Sequence, residues 1–469
     1  MNTTAPITAP TRTLLASLAL AALLPTASAQ DLLLVNLADT HSAYDAYPRV
    51  LTQVQQIVAD HPDTPVYMLF NGDLFEPGNV VAARSEGEVD WMFLEALHEA
   101  APVILNLGNH EFDFDDPADF VTQAEARGIT VIGSVFGTDG QLLAPALTTL
   151  QVGDVSVDIV GVATDALNTY QADARDQIVL PEPVAWTDAT FNRLAQSDVS
   201  VLLTHAGVVA DRTIMTALPG NVLFAVGGHD HLVLREDVSR EGVAEPLLYI
   251  HTGFKGERLT VASVTFSERD EDGHVSADLT LTDYVIDDSL SPDATFATEI
   301  DNARMTYLDA DDLDTVGIVT ETYTVREAAQ WAVDTLADMT DADVALLNHT
   351  SFGAGLDAGP LPRYRFNAFL RFDNDVMVTE VDGETLQQIL ARSNQGTDTP
   401  LSERTGDFVY SNDVDPQPGE TYRLVTSSWV TLPFNVMGYL GTDALTFEQI
   451  EGVTTKGLLA ESLAANETP

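Results

Sequence analysis

Five apolar runs in this chain each end in a small group of side chains able to bind a metal ion. The groups are Asp39-Thr-His41, Gly72-Asp73, Gly108-Asn109-His110-Glu111, Thr204-His205 and Gly228-His229-Asp230-His231, and the runs before them are LLLVNLA, PVYMLF, APVILNL, VSVLL and VLFAV. Carboxylate, amide and imidazole donors with no thiolate among them suit Zn, Mn, Fe or a similar divalent ion. Asp39 and His41 lie two residues apart, so one loop can bring both to one ion, and His229 and His231 repeat that spacing. Two such ions about 3.5–4 Å apart can share a bridging carboxylate and a bridging hydroxide, an arrangement suited to phosphate-ester hydrolysis. Asn109 can ligate through its amide oxygen. That leaves His110 free for the substrate, with Asp113 three residues on to fix its tautomer and raise its basicity.

The elements that must position these groups are legible around them. Each run reads as a short buried strand, because four to seven apolar residues are stopped by Gly, Asn or Asp. The ends of such strands lie side by side in an open α/β sheet and form one rim, the usual place for a site. Helical spacing marks Arg49 to Ala59 and Trp91 to Ala100, and strand-like runs cover 155–163, 247–253 and 259–267. The other histidines fit blander roles: His61, His98 and His274 are solvated, and His251 belongs to the packing behind the site. Glu111 and Asp230 read as loop acids supporting the ligands, and Asp45 and Asp165 as surface residues.

Composition bounds the rest. A chain of 469 residues exceeds one ordinary core, so two domains are expected. The expected divisions are a signal peptide at 1–29, a catalytic α/β unit at 30–285, a helical connector at 286–316 and a second unit at 317–469. In that second unit a helix is expected from Arg326 to Met339, a strand from Asp343 to Leu347, a Gly/Pro-rich loop from Gly353 to Pro362, a strand from Val376 to Val381 and a helix from Glu384 to Ala391. The 21 basic against 72 acidic residues give a net charge of −51, which excludes duplex nucleic acid as a partner. There is no cysteine, hence no disulfide, thiolate ligand or lipid-modified cysteine. Near the N-terminus, Arg12 precedes an apolar stretch from Leu14 to Leu24, Pro25 breaks it, and Ala27-Ser28-Ala29 supplies a cleavage pattern before Gln30. The expectation is export to the periplasm or the medium, with no membrane anchor.

The ordered series Asp39-x-His41, Gly72-Asp73, Gly108-Asn109-His110-Glu111, His205 and Gly228-His229-x-His231 resembles the calcineurin-like metallophosphoesterase superfamily. Asn-His-Glu-Phe-Asp at 109–113, with the exported two-domain layout, resembles its 5′-nucleotidase family. The resemblance implies a four-layer α/β/β/α catalytic domain and a smaller C-terminal α/β domain that rotates to bring a nucleoside over two metal ions. It also implies that Asp39, His41, Asp73 and His231 bind one ion, that Asp73, Asn109, His205 and His229 bind the other, that His110 stabilises the transferring phosphoryl group or the leaving oxygen, and that Asp113 holds His110.

In the second unit Asn348 matches the start of the family's Asn-Gly-Gly-x-x-Arg segment, but the chain continues His-Thr-Ser-Phe-Gly353, without the glycine pair or the arginine. Phe372-Asp-Asn374 matches the family's Phe-x-Asn, which stacks on and hydrogen-bonds a base, and Trp429 is a candidate second aromatic. Arg363, Arg365 and Arg371 form a local basic group, available to a substrate phosphate or carboxylate or else to neighbouring acids. The preferred expectation is a nucleotide phosphohydrolase using two divalent ions and a bridging hydroxide. The alternatives are a phosphodiesterase, a sulfate-releasing hydrolase of thiosulfate oxidation, and a non-catalytic nucleotide-binding protein.

Overall fold

Strand Gln30–Leu37 sets the architecture through the alternation of its side chains. Leu33, Val35 and Leu37 point into one apolar cluster and Leu32 and Leu34 into another, so the strand is buried on both faces. The computed structural model describes residues 30–194, 197–393, 404 and 406–465. The expected signal peptide, 1–29, lies outside the described residues.

Two six-stranded sheets form the catalytic unit. In the first, Gln30–Leu37, Val66–Phe70, Val103–Asn106 and Thr130–Ile132 run parallel, and Arg258–Phe266 and Ala277–Val285 complete it antiparallel. In the second, Val155–Ala163, Val199–His205, Val222–Gly227 and Leu247–Thr252 run parallel between the antiparallel edge strands Leu147–Val152 and Val233–Val238. The sheets face each other across a core that includes Leu34, Leu69, Ile104, Ile159, Val201 and Phe224. Helices Tyr47–Asp60, Glu88–Ala100 and Pro117–Ala126 cover the outside of the first sheet, and Pro183–Leu194 and Val208–Thr216 lie over the second. This is the four-layer α/β/β/α arrangement that the resemblance implies.

Beneath the rim, buried amides bolt the two sheets together. Asn71, just past strand Val66–Phe70, donates to the carbonyls of Thr204 and Val226 in the other sheet, each at 3.0 Å. Asn106, ending the neighbouring strand, donates to Asn71 Oδ1 at 2.9 Å and to the Val162 carbonyl at 3.1 Å.

The chain then passes through helix Ala294–Tyr307, whose first turn is capped by Asp293. Phe296 and Ile300 bury this connector helix in the core of the catalytic unit, and Arg304 pairs with Asp45 at 2.6 Å. The C-terminal unit has a five-stranded sheet in the order Val409–Ser411, Val344–Asn348, Thr421–Ser427, Asp375–Asp382, Glu448–Thr454. Helix Val325–Thr340 starts with a full capping box between Thr324 and Glu327. The Gly/Pro-rich stretch departs from expectation, because its end, Gly359–Pro362, pairs as a strand with Thr315–Val319. Proline fits there because a two-stranded ladder has free edges that need no donor. Among the described residues no helix is long and apolar enough to cross a membrane.

Asn71→Ala removes three hydrogen bonds at once, two of them between the sheets, and leaves their partners buried. The expected cost is about 2–4 kcal/mol of stability, seen as a lower urea midpoint with an unchanged slope.

Candidate metal centre

Three of the five rim loops share an unusual backbone bend at their candidate ligands. Among the described residues nine non-glycine positions have positive φ, and five of them are Asp39, His41, Asp73, His229 and His231, with φ from 45° to 76°. Left-handed backbone costs about 1–3 kcal/mol at each such residue and clusters where function over-determines it. Here it turns side chains at the strand ends inward toward one point. Glycine supplies the room. A Cβ on Gly72, itself at φ 79°, would lie 2.7 Å from His205 Nδ1, and one on Gly108 would strike the Asp73 carboxylate.

Asp73 is the hub. Its Oδ1 accepts the backbone N–H groups of Asn109 and His110, each at 2.9 Å. Its Oδ2 lies 3.1 Å from His205 Nε2 and 3.6 Å from His41 Nε2. Two ligand groups share it: Asp39, His41, Asp73 and His231, and Asp73, His205 and His229, with the ligand atoms in each group within 4.8 Å of one another. Asn109 joins the second group, its Oδ1 being 2.8 Å from His229 Nδ1. All seven ligands expected from the sequence therefore meet in one buried place.

The chemistry of these atoms fits cations. His205 Nδ1 donates to the Asn71 carbonyl at 2.7 Å, and its buried Nε2 has no hydrogen-bond partner. His41 Nδ1 likewise faces the Phe75 carbonyl at 3.1 Å, so its Nε2 carries a lone pair, and that atom is 2.9 Å from His231 Nε2. Nitrogen lone pairs aimed together with carboxylate oxygens are satisfied by a shared divalent ion. Electrostatics points the same way. Burial, opposed by His205 and reinforced by Asp73, pushes Asp39 upward. Burial alone would lower His205, but Asp73 and Asp39 outweigh it and raise its pKa to about 10. A divalent ion held there would take the place of that proton.

His110 stands at the edge of the centre with its Nδ1 2.7 Å from Asp113 Oδ2. Burial opposes its charge, yet the carboxylates of Asp113 and Asp73 prevail and raise it to about 9. Glu111 caps the loops from below, accepting from Leu74 N at 2.9 Å and Gly108 N at 2.6 Å. Asp230 accepts from Val208 N at 2.5 Å. His251 is a core residue, hydrogen-bonded to Tyr249 and 4.0 Å from Asp211.

The expected substrate residues do not gather so tightly. The amide of Asn348 is buried and spent on Thr350 and Ser351, each at 2.8 Å. Phe372 is 38% exposed, with the Arg371 guanidinium 5.2 Å from its ring. Trp429 lies against Phe434 at 6.1 Å, and Asn374 holds Thr455 through its backbone. Arg363 donates to the Asp311 carbonyl at 3.2 Å, and Arg365 pairs with Asp357 and Asp45. Of the three arginines only Arg371 reaches the metal loops, where it pairs with Glu76 and its Nη2 lies 3.4 Å from His41 Nδ1.

Sequence reasoning did not single out Glu76, Asn71 or His349. His349, from the C-terminal unit, is 3.2 Å from the Asp230 carbonyl, between the two ligands of that loop. Glu76 was signalled only by its place three residues after Asp73. Lys255 was visible as one of two lysines, without an indication that its Nζ donates to the His41 carbonyl at 2.5 Å.

The family description Calcineurin-like phosphoesterase matches residues 32–233, and 5′-nucleotidase, C-terminal domain matches residues 314–431. The chain belongs to the calcineurin-like phosphoesterases and carries a 5′-nucleotidase C-terminal domain, so it is a metal-dependent phosphoester hydrolase. In fold it is similar to the 5′-nucleotidase precursor of Thermus thermophilus, at 18% identity over 94% of this chain and 97% of that one, with a TM-score of 0.66. It is also similar to the 5′-nucleotidase of Candida albicans (12% identity, 93% and 98%, TM-score 0.59) and to the Thermus thermophilus sulfate thiohydrolase SoxB (12%, 93% and 94%, TM-score 0.63). Comparison with curated protein sequences gave no match.

Because Asp73 serves both groups, Asp73→Ala is expected to empty the whole centre, whereas His229→Ala, which touches one group, leaves the other loaded. Elemental analysis of the purified variants reads the difference directly.

Proposed function

We propose that this protein is an exported 5′-nucleotidase that holds two divalent ions and releases phosphate from nucleotides. The observation that carries the reading is the sharing of Asp73 by two complete ligand groups, with the His110–Asp113 pair beside them. When bound, the ions would hold the phosphate oxygens, lower the pKa of water and offset charge on the leaving group. The residues' own work is distinct. Asp39, His41, Asp73 and His231 would hold one ion and Asp73, Asn109, His205 and His229 the other. His110 gives its Nδ1–H to Asp113, which fixes the ring and leaves Nε2–H to donate to the phosphoryl or leaving oxygen. In the net reaction water forms a new P–O bond, the ester P–O bond breaks, and a proton ends on the nucleoside oxygen. Phe372 and Asn374 are the candidate base contacts, with Trp429 as a further candidate on the C-terminal unit, whereas Asn348, Arg363, Arg365 and Arg371 are engaged by neighbouring protein groups. Export is inferred from the arrangement of Arg12, Leu14 to Leu24 and Ala27-Ser28-Ala29.

One observation favours a second reading. The segment after Asn348 has no arginine and its asparagine amide is used locally, so the usual donors to a nucleotide are not evident there. A phosphodiesterase, or a hydrolase releasing sulfate from a sulfur carrier, fits the same centre.

Metal-loaded protein is expected to release phosphate from 5′-AMP faster than it cleaves cyclic 2′,3′-AMP or bis-p-nitrophenyl phosphate; activity on the diesters alone selects the second reading. His110→Ala should lower kcat by about 10²–10⁴ with both ions retained, and unchanged turnover would remove His110 from the chemistry.

A further inference from the structure

Both lysines of the chain meet at one junction, where the C-terminal unit touches the metal loops. Lys255 holds the Asp39–His41 turn twice, its backbone N–H on the Asp39 carbonyl at 2.8 Å and its Nζ on the His41 carbonyl at 2.5 Å. Lys456 donates to the Arg371 carbonyl at 3.4 Å and to Asn367 Oδ1 at 3.1 Å. Between them lies the buried ion pair of Glu76 with Arg371, both side chains almost wholly excluded from water. Glu76 is clamped further by Gly78 N–H at 2.9 Å, and Lys255 Nζ lies 3.9 Å from it. The next residue back, Phe75, offers the carbonyl that fixes His41 Nδ1. A continuous path therefore runs from Arg371 through Glu76 and the Phe75 carbonyl to the imidazole whose Nε2 faces Asp73 and His231.

Arg371 is itself rigidly placed. Its N–H donates to the Ser351 carbonyl at 2.9 Å and its Nη1 to the Thr350 carbonyl at 3.2 Å. Gly353 and Gly78 leave it room, since a Cβ at either would press on its side chain or its carbonyl at about 3 Å. The pair lines a cleft of about 580 Å³ where the catalytic unit, the connector helix and the C-terminal unit meet.

We propose that Arg371 is a positioning residue for one half of the metal centre: by seating Glu76 it fixes the Phe75 carbonyl that orients His41, so retention of the ion held by Asp39, His41, Asp73 and His231 depends on docking of the C-terminal unit. Of the other ligand group, Asn109, His205 and His229 lie off this path, and Asp73, shared by both groups, is held separately by the N–H groups of Asn109 and His110. Loss of a residue that orients a ligand lowers metal affinity about 10–100-fold, and here the loss falls on one site of two. The proposal rests on the two-ion reading given above.

The test is equilibrium dialysis of the full-length protein against Zn²⁺ buffered over a range of free concentrations, with bound Zn counted per chain. Wild type is expected to bind two Zn²⁺. Arg371→Met should weaken one site about 10–100-fold and leave the other unchanged, with Arg371→Lys between the two. Equal weakening of both sites, or no change in either, overturns the proposal. Removing one partner of a buried pair strands a charge and can unfold the chain, so the double variant Glu76→Gln/Arg371→Met, which removes both charges of the pair and leaves Lys255 its hydrogen bond to the His41 carbonyl, carries the same expectation. The outcomes separate the two claims. Wild type that binds fewer than two Zn²⁺ sinks the two-ion reading and the proposal together, whereas two sites in wild type and two unaltered sites in the variants sink only the role of Arg371.

Discussion

Two carboxylates and four imidazoles, buried together at the ends of strands, are the constraint from which the rest of this fold follows. Asp39 and Asp73 repel each other where water cannot screen them, and moving such charges out of water is costly unless opposite charge meets them. The chain brings them together regardless, because parallel strands from both sheets end at one rim and left-handed residues turn the ligands inward. The strain in those turns is borne by what surrounds them: Glu111 accepting two loop N–H groups, Lys255 gripping the Asp39 and His41 carbonyls, and Asn71 and Asn106 tying the sheets together below. A cation shared by these groups would offset the electrostatic part. Rigid scaffold and strained rim are thus two sides of one design.

Much of this was legible in the sequence because local pattern and global fold agree. Runs such as LLLVNLA and VSVLL fixed the strands to within a residue or two, and the ligands announced themselves by standing just after them. The Asn109-His110 step, with Asp113 after it, showed which histidine would be held by a carboxylate. What stayed hidden depends on contacts between distant segments. Asn71 reads as an ordinary turn residue, yet it spans two sheets, 133 and 155 positions away from its partners. Glu76 and Arg371 are separated by nearly three hundred residues, so no spacing rule could pair them. The short ladder between Thr315–Val319 and Gly359–Pro362 was masked by its prolines, which read as loop.

The substrate side is less sharply encoded, for a physical reason. Metal ligands must approach within bonding distance of one point, which over-determines their types and turns. Stacking on a base needs only an exposed ring and space, a condition that Phe372 meets and that many surface aromatics would meet. Arg371 further complicates the reading, because a guanidinium next to that ring looks made for a phosphate but is engaged by Glu76.

That engagement bears on how the two units can move. The resemblance to 5′-nucleotidases implies a rotation of the C-terminal domain, and any such rotation must part Glu76 from Arg371 and His349 from the Asp230 carbonyl. It must also open part of the apolar cluster that joins Val208 and Leu232 to Phe352 and Phe408. Exposing apolar surface costs about 25 cal/mol for each Å², whereas parting a buried ion pair returns both charges to water and recovers most of the desolvation they had suffered. The ion pair therefore contributes little to holding the units together and much to their register. The apolar cluster sets the energy of docking, while Glu76 and Arg371 set the angle at which the C-terminal unit meets the His41 loop. Stability and alignment are assigned to different groups at this interface, and the group that aligns is the one that touches the metal ligands.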